Sequence, residues 1–155
     1  MQPLKLVDHM RSNSDRIYEG LMKKVRASEK CNESVVRVPA DEHKEFTTQM
    51  YRDLTNWLGD EPVANMEQRY VAAGMRRAQQ GVPFSHSFYG ICIARDYLWE
   101  HIQEECLLEE PVSFWGGVKL LHSVNQFFDR VLYLGLVGYQ KAGASDRASM
   151  HATSG

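Results

Sequence analysis

Apolar side chains return every three or four positions along most of this chain, the spacing of one face of a helix. Ile17, Leu21, Met22 and Val25 follow capping residues at Asn13, Ser14 or Asp15 and predict a first helix that ends at ASEKCNES. The run SVVRVPA is rich in β-branched residues but has no partner strand, so it reads as an extended connector. Pro39 and Asp41 open a second helix with Phe46, Met50, Leu54 and Trp57/Leu58 on one face. GDEP breaks it, and Pro62 suits the first turn of a third helix, which runs to about Gln80 along Met66, Tyr70, Ala73 and Arg77. Gly81 and Pro83 in QQGVPF form a stop signal. A fourth helix spans about residues 84–107, with Phe88, Ile91, Cys92, Leu98, Trp99 and Ile102 as its stripe. Beyond Pro111 the last helix carries Val112, Trp115, Leu120, Leu121, Val124, Phe127, Phe128, Val131, Leu134 and Val137.

The expected fold is all-α, a bundle of about five main helices. Residues 1–142 form a single domain, and GASDRASMHATSG, residues 143–155, is read as a flexible polar tail. The stretch FFDRVLYLGLVGYQKAG is apolar on most of its circumference, so it is buried on more than one side. It is not a membrane span: Arg130 and Lys141 enclose ten uncharged residues, against the ~20 that a bilayer requires. Gly135 and Gly138 let another backbone come close. That backbone belongs either to the same chain or to a second subunit, and an apolar helix surface of this size fits both.

Composition narrows the function classes. The chain has 155 residues, 43% hydrophobic and 25% charged, near the globular average. A formal net charge of −2 leaves no basic footprint for nucleic acid. Cys31, Cys92 and Cys106 make no CxxC pair and read as small buried hydrophobes in a reducing compartment. MQPLKLVDHMRSNSD has neither the apolar run nor the cleavage site of a signal peptide. The expectation is a cytoplasmic protein without a membrane span.

Catalytic motifs are scarce. The sequence has no Gly-rich phosphate loop, no G-x-S-x-G and no H-E-x-x-H, so the chain is read as non-enzymatic and metal-free. The triplet DEH at Asp41 to His43 cannot converge on one ion, because adjacent helical residues point apart; it reads as a cap and a solvated face. EHIQEE at Glu100 to Glu105 reads as a solvated helix end. His86 and His122 are the histidines that a haem iron could use, although a lone helical histidine is more often simply exposed or hydrogen-bonded. Arg95-Asp96 and Asp129-Arg130 interrupt apolar helices and invite an ion pair between helices or between subunits.

Three segments, in order and spacing, carry a family likeness. RRAQQGVPF resembles the R-A-x-x-G-[IV]-P junction of the N-terminal domain of the RsbR/RsbRD family, the RsbT co-antagonists of the bacterial stressosome. ARDYLWEHI resembles that family's next helix, with its tryptophan at Trp99, and Tyr70 falls where the family has a tyrosine. FFDRVLYLGLVGYQKA resembles its closing helix, with Phe128-Asp129-Arg130 and Gly138-Tyr139 in place. The likeness covers roughly residues 17–142.

The resemblance implies a globin-like helical domain without haem, a sensory input that forms homodimers and signals to a kinase or STAS-type protein. In the family's longer members an output domain follows; the present sequence is read either as a free-standing sensor domain or as a fragment of a longer protein, and no phosphorylated residue carries over to it. A small ligand or a partner protein would supply the signal, and the last helix would pass it on through Phe127, Arg130, Val131, Leu134, Gly135 and Gly138. The expected ligand pocket lies between the third, fourth and last helices, lined by Tyr70, Phe88, Trp99 and Phe128 with Arg95 as polar anchor. The alternative is a haem- or tetrapyrrole-binding sensor using His86 or His122.

Overall fold

The computed structural model describes residues 4–104 and 114–153. Among these the architecture is all-α: α1 (Leu4–Ser12), α2 (Ser14–Ala27), a single 3₁₀ turn (Glu29–Cys31), α3 (Asn32–Arg37), α4 (Ala40–Leu58), α5 (Met66–Gln79), α6 (Phe84–Glu104) and α7 (Phe114–Thr153). The five helices expected from periodicity are α2, α4, α5, α6 and α7. The expected break at Pro111, the residues of the fourth helix past Glu104, and Cys106 lie outside the described residues.

The core sits where the apolar stripes of these helices converge. Ile17 and Leu21 of α2, Met50 and Leu54 of α4, Leu98 of α6, and Val124, Phe127 and Phe128 of α7 are all but sealed from solvent. Phe127 meets Phe128 edge-on at 5.5 Å and Trp57 at 5.9 Å. Tyr51 reaches across from α4 to donate to the Ala94 carbonyl at 2.9 Å.

Three expectations change. SVVRVPA is not extended over its first part: residues 32–37 form α3, whose first turn is held by side chains of other helices, as described below. Leu6, Val7 and Met10 of α1 are buried, so the segment before Asn13 is an additional core helix. The segment read as a flexible tail continues α7 as far as Thr153, with Ala144 to Arg147 exposed. No helix among the described residues is long and apolar enough to cross a membrane.

The α5–α6 connection fixes the geometry around the site. Gly81 has φ +79, the left-handed region that glycine tolerates. Its N–H bonds Ala78 O and the next N–H, of Val82, bonds Arg77 O, the paired bonds of a Schellman ending. Val82 is buried, and its carbonyl accepts the Tyr139 hydroxyl at 2.9 Å. Ser87 lies 2.8 Å from the same hydroxyl, and the Phe84 ring meets Tyr139 edge-on at 5.2 Å. The G-V-P motif therefore pins α7 to the start of α6.

Candidate functional site

Helices α5 and α7 meet backbone to backbone. A Cβ on Gly138 would overlap Val71 O and stand 2.7 Å from Met75 N, and a Cβ on Gly74 would overlap Gly135 O. Only glycine at 74 and 138 permits this approach. The side of Gly135 away from the crossing is open, since a Cβ there meets nothing within 4 Å.

A partly open cavity of about 90 Å³ lies beside this crossing, lined by residues of α2, α3, α4, α5, α6 and α7. Its walls are largely aliphatic and aromatic: Leu21 and Met22 of α2, Phe46 and Met50 of α4, Ile91 of α6 and Val131 of α7. The polar groups gather on one side. His43 Nε2 donates to Ser34 O at 2.9 Å, and Glu33 N–H donates to His86 Nδ1 at 3.1 Å. Two histidines from different helices thus hold α3 against the cavity. Burial keeps the His43 pKa below the ordinary histidine value, with its hydrogen bond to Ser34 opposing the shift. Ser34 also lines the cavity, and its Oγ is buried without a hydrogen-bond partner.

A charged group closes one edge. Glu42 accepts from Arg76 at 2.9 Å, from Arg77 at 3.0 Å and from Gln80 at 2.8 Å. The bond from Arg76, then that from Gln80, pulls the Glu42 pKa down to about 2. Arg77 lies over the Phe46 ring at 5.7 Å and is mostly buried, so its charge enters the cavity wall already neutralised. A second network ties α4 to α5 on the far side of Tyr70. The buried Asp53 carboxylate accepts from Arg69 at 2.8 Å, Tyr70 at 2.7 Å and Gln49 at 2.9 Å.

The structure brings together only part of the expected pocket. Tyr70 and Phe88 line the cavity. Phe128 fills the core instead. Trp99 is half-buried against the core and stands outside the lining. Arg95 points to Asp129 at 3.8 Å, which is the inter-helix ion pair that the two interrupted stripes suggested. The expected output face is also divided. Phe127, Val131, Leu134 and Gly138 are buried in this chain's own interior, and the Gly135 backbone abuts Gly74. Arg130 is exposed. Among the described residues of α7, Val118, Leu121, Tyr133 and Leu136 are exposed large apolar side chains, turned away from the Gly138 side. His122 is exposed and His86 is bonded to the α3 backbone.

Sequence reasoning passed over Ser34, His43 and Tyr139 as cavity residues. His43 carried a readable signal, lying three residues before Phe46 and seven before Met50 on the same stripe. It faces inward, while Asp41 stays exposed. His101, read as part of a solvated end, is likewise buried, with its Nε2 2.7 Å from His9 Nε2. Among the described residues no group of three histidine, cysteine or acidic side chains could hold a metal ion.

The family model described as the RsbT co-antagonist protein rsbRD N-terminal domain matches residues 15–152, from the start of α2 almost to the end of α7. No curated protein and no solved structure gives a significant match.

Proposed function

The chain belongs to the family of rsbRD N-terminal domains of RsbT co-antagonist proteins, and from that premise we infer that it is a non-catalytic sensory module of a bacterial stress-signalling assembly of the stressosome kind. In this reading the cavity receives a small ligand and α7 carries the response. The observation behind it is the placement of α7. The helix meets α5 without intervening side chains at Gly74 and Gly138, lines the cavity with Val131, Leu132 and Gly135, and continues to Thr153. A ligand that prefers one spacing of α5 and α7 shifts the population toward it. A helix of 40 residues transmits that change over ~60 Å at its standard rise.

The same reading includes a globin-like arrangement without haem, a cytoplasmic location and a homodimer. The outward residues Val118, Leu121, Tyr133 and Leu136 suit the dimer contact. The signalling partner would be an RsbT-type kinase or a STAS-domain protein. Native mass spectrometry over a concentration series, with Tyr133→Glu/Leu136→Glu as control, tests the dimer. Interferometry against the RsbT-type kinase and STAS proteins of the source organism tests the partner. A monomer at every concentration together with no binding to either protein would overturn the reading.

A further inference from the structure

His9 and His101 meet across the bundle. Their Nε2 atoms lie 2.7 Å apart, joining α1 to α6, and His101 is only 4% exposed. The hydrogen positions follow from Asn13. Its Nδ2 donates to His9 O at 2.9 Å, which fixes the orientation of the amide, and the same Nδ2 faces His9 Nδ1 at 3.4 Å. His9 Nδ1 is therefore the acceptor, its Nε2 carries the hydrogen, and His101 Nε2 accepts. Asn13 also separates α1 from α2, with φ −121 and ψ 27. The bend between these helices and the His9 ring thus share one partner.

Helix α1 has nine residues. A helix so short does not stand alone in water, so it persists by docking through the buried Leu6, Val7 and Met10 and through His9. It lies outside residues 15–152 that the family model matches, so the bundle shared with the family begins at α2.

The pair tolerates one added proton. An imidazolium at His9 still donates through Nε2 to His101. A second proton puts N–H groups on both facing nitrogens, so two positive rings and two donors meet with no acceptor between them. The charges around the pair do not offset this. Glu100 and Glu104 of α6 and Arg16 and Lys24 of α2 act on Tyr97, whose ring lies 6.0 Å from that of His101. Lys24 is already held by Glu100 at 2.7 Å. Asp8 and Arg11 flank His9 on α1, with Arg11 3.8 Å from Glu61. Acidic and basic groups balance among these. On α4, Asp53 is turned to Arg69 and Arg52 to Gln49. Helix α7 runs antiparallel to α6, as Arg95–Asp129 and Ser87–Tyr139 show, and brings the buried Leu120 and Val124 to the level of His101, with His122 exposed.

We propose that the His9–His101 bond is an acid-released latch on α1: the helix stays docked while the pair holds no more than one added proton, and a second proton detaches it and uncovers the apolar surface beneath Leu6, Val7 and Met10. The latch is independent of the ligand and dimer readings above. Once α1 is detached both rings are solvated, and a solvated histidine titrates at about pH 6.5. At acid pH the open form therefore binds one proton more than the closed form. Closure is favoured above that range and is lost as pH falls below it, by about tenfold per pH unit.

The experiment is amide exchange of the full chain by ¹H–¹⁵N NMR from about pH 7.5 to about pH 5, each rate divided by the intrinsic rate at that pH, with the imidazole ¹⁵N shifts of His9 and His101 followed in parallel. At the upper end the rings should carry hydrogen on His9 Nε2 and His101 Nδ1. Protection at residues 8–12, whose N–H groups bond within α1, should fall about tenfold per pH unit below about pH 6, and the second ring proton should arrive with that loss. His9→Gln keeps an N–H donor toward His101 but removes one titrating ring. It should abolish the acid loss in α1 and leave the pH profile of α5 unchanged. His122→Gln should keep the wild-type loss. The ring proton count needs no substitution, so it decides even where His9→Gln docks poorly. Protection of α1 that does not vary with pH, both rings doubly protonated while α1 stays protected, or the wild-type acid loss surviving in His9→Gln would each overturn the proposal.

Discussion

Alanine at Gly138 is the most direct test of the α5–α7 crossing. The new Cβ would overlap Val71 O and stand 2.7 Å from Met75 N and 2.9 Å from Gly74 Cα. All three are backbone atoms, so no rotamer change relieves the clash and the helices must separate. A gap of about 1 Å forfeits up to half of each dispersion contact along the seam. Overpacking of this kind costs ~1–3 kcal/mol, and replacing glycine inside a helix returns about 1 kcal/mol. The expected net loss is about 0–2 kcal/mol. Gly135→Ala is the matched control, one turn away on the same helix. Its Cβ meets nothing within 4 Å, so only the helix-propensity gain remains, about 0.5–1 kcal/mol of added stability. Urea unfolding followed by circular dichroism at constant m-value measures both. The two variants should differ by about 2 kcal/mol, or several degrees in Tm for a domain of this size. Gly138→Ala as stable as Gly135→Ala would refute the backbone-to-backbone crossing.

Asp53→Ala should destabilise by about 3–5 kcal/mol, because it leaves Tyr70 and Arg69 without their buried acceptor; Tyr70→Phe should cost about 1.5–3 kcal/mol by removing one bond to a charged group, and chemical denaturation checks both. Tyr139→Phe loses the bond to Val82 O and should cost about 1 kcal/mol, with faster amide exchange across residues 80–87 as its local signature. Stability should fall in two acid windows in a denaturant series across pH. His43 has a lowered folded pKa, so the unfolded state takes up the proton first and stability drops as pH falls below the ordinary histidine value of 6.5. Glu42 has its pKa lowered from 4.5 to about 2, so its contribution is intact above 4.5 and is lost as pH falls from there toward 2. With His9→Gln in place, so that the α1 latch no longer titrates, His43→Gln should remove the first window and Glu42→Gln the second; a variant that keeps its window would show that another group titrates there.

The long helices were legible because each buries a stripe that repeats at 3.6 residues, and burial of a stripe is a local property of sequence. Leu21/Val25, Met50/Leu54 and Leu98/Ile102 reach the core as their spacing predicts. The G-V-P junction was legible for a similar reason, since Gly81 needs a positive φ and only a few residue types supply it. The cavity was not legible. It depends on where stripes fail to meet, and that is decided by Gly74 letting α7 approach at one level and by Gly135 leaving space at another. Phe128 and Trp99 look like pocket residues in a pattern because core and pocket share the same apolar alphabet. Helix α3 was the sharpest departure. Six residues with two adjacent valines have little intrinsic helicity, and the first turn of α3 is held from outside by His86, which accepts from Glu33 N–H, and by His43, which donates to Ser34 O. A helix that depends on two side chains from α4 and α6 reports their separation. Any occupant that alters the spacing of α4 and α6 must therefore strain or release α3, and Ser34 rides on that element. Amide exchange at Glu33 and Ser34 should rise in His86→Ala while exchange in α2 stays unchanged. Equal protection at Glu33 with and without the His86 ring would show that α3 holds itself, and the coupling between cavity and α3 would then have no physical carrier.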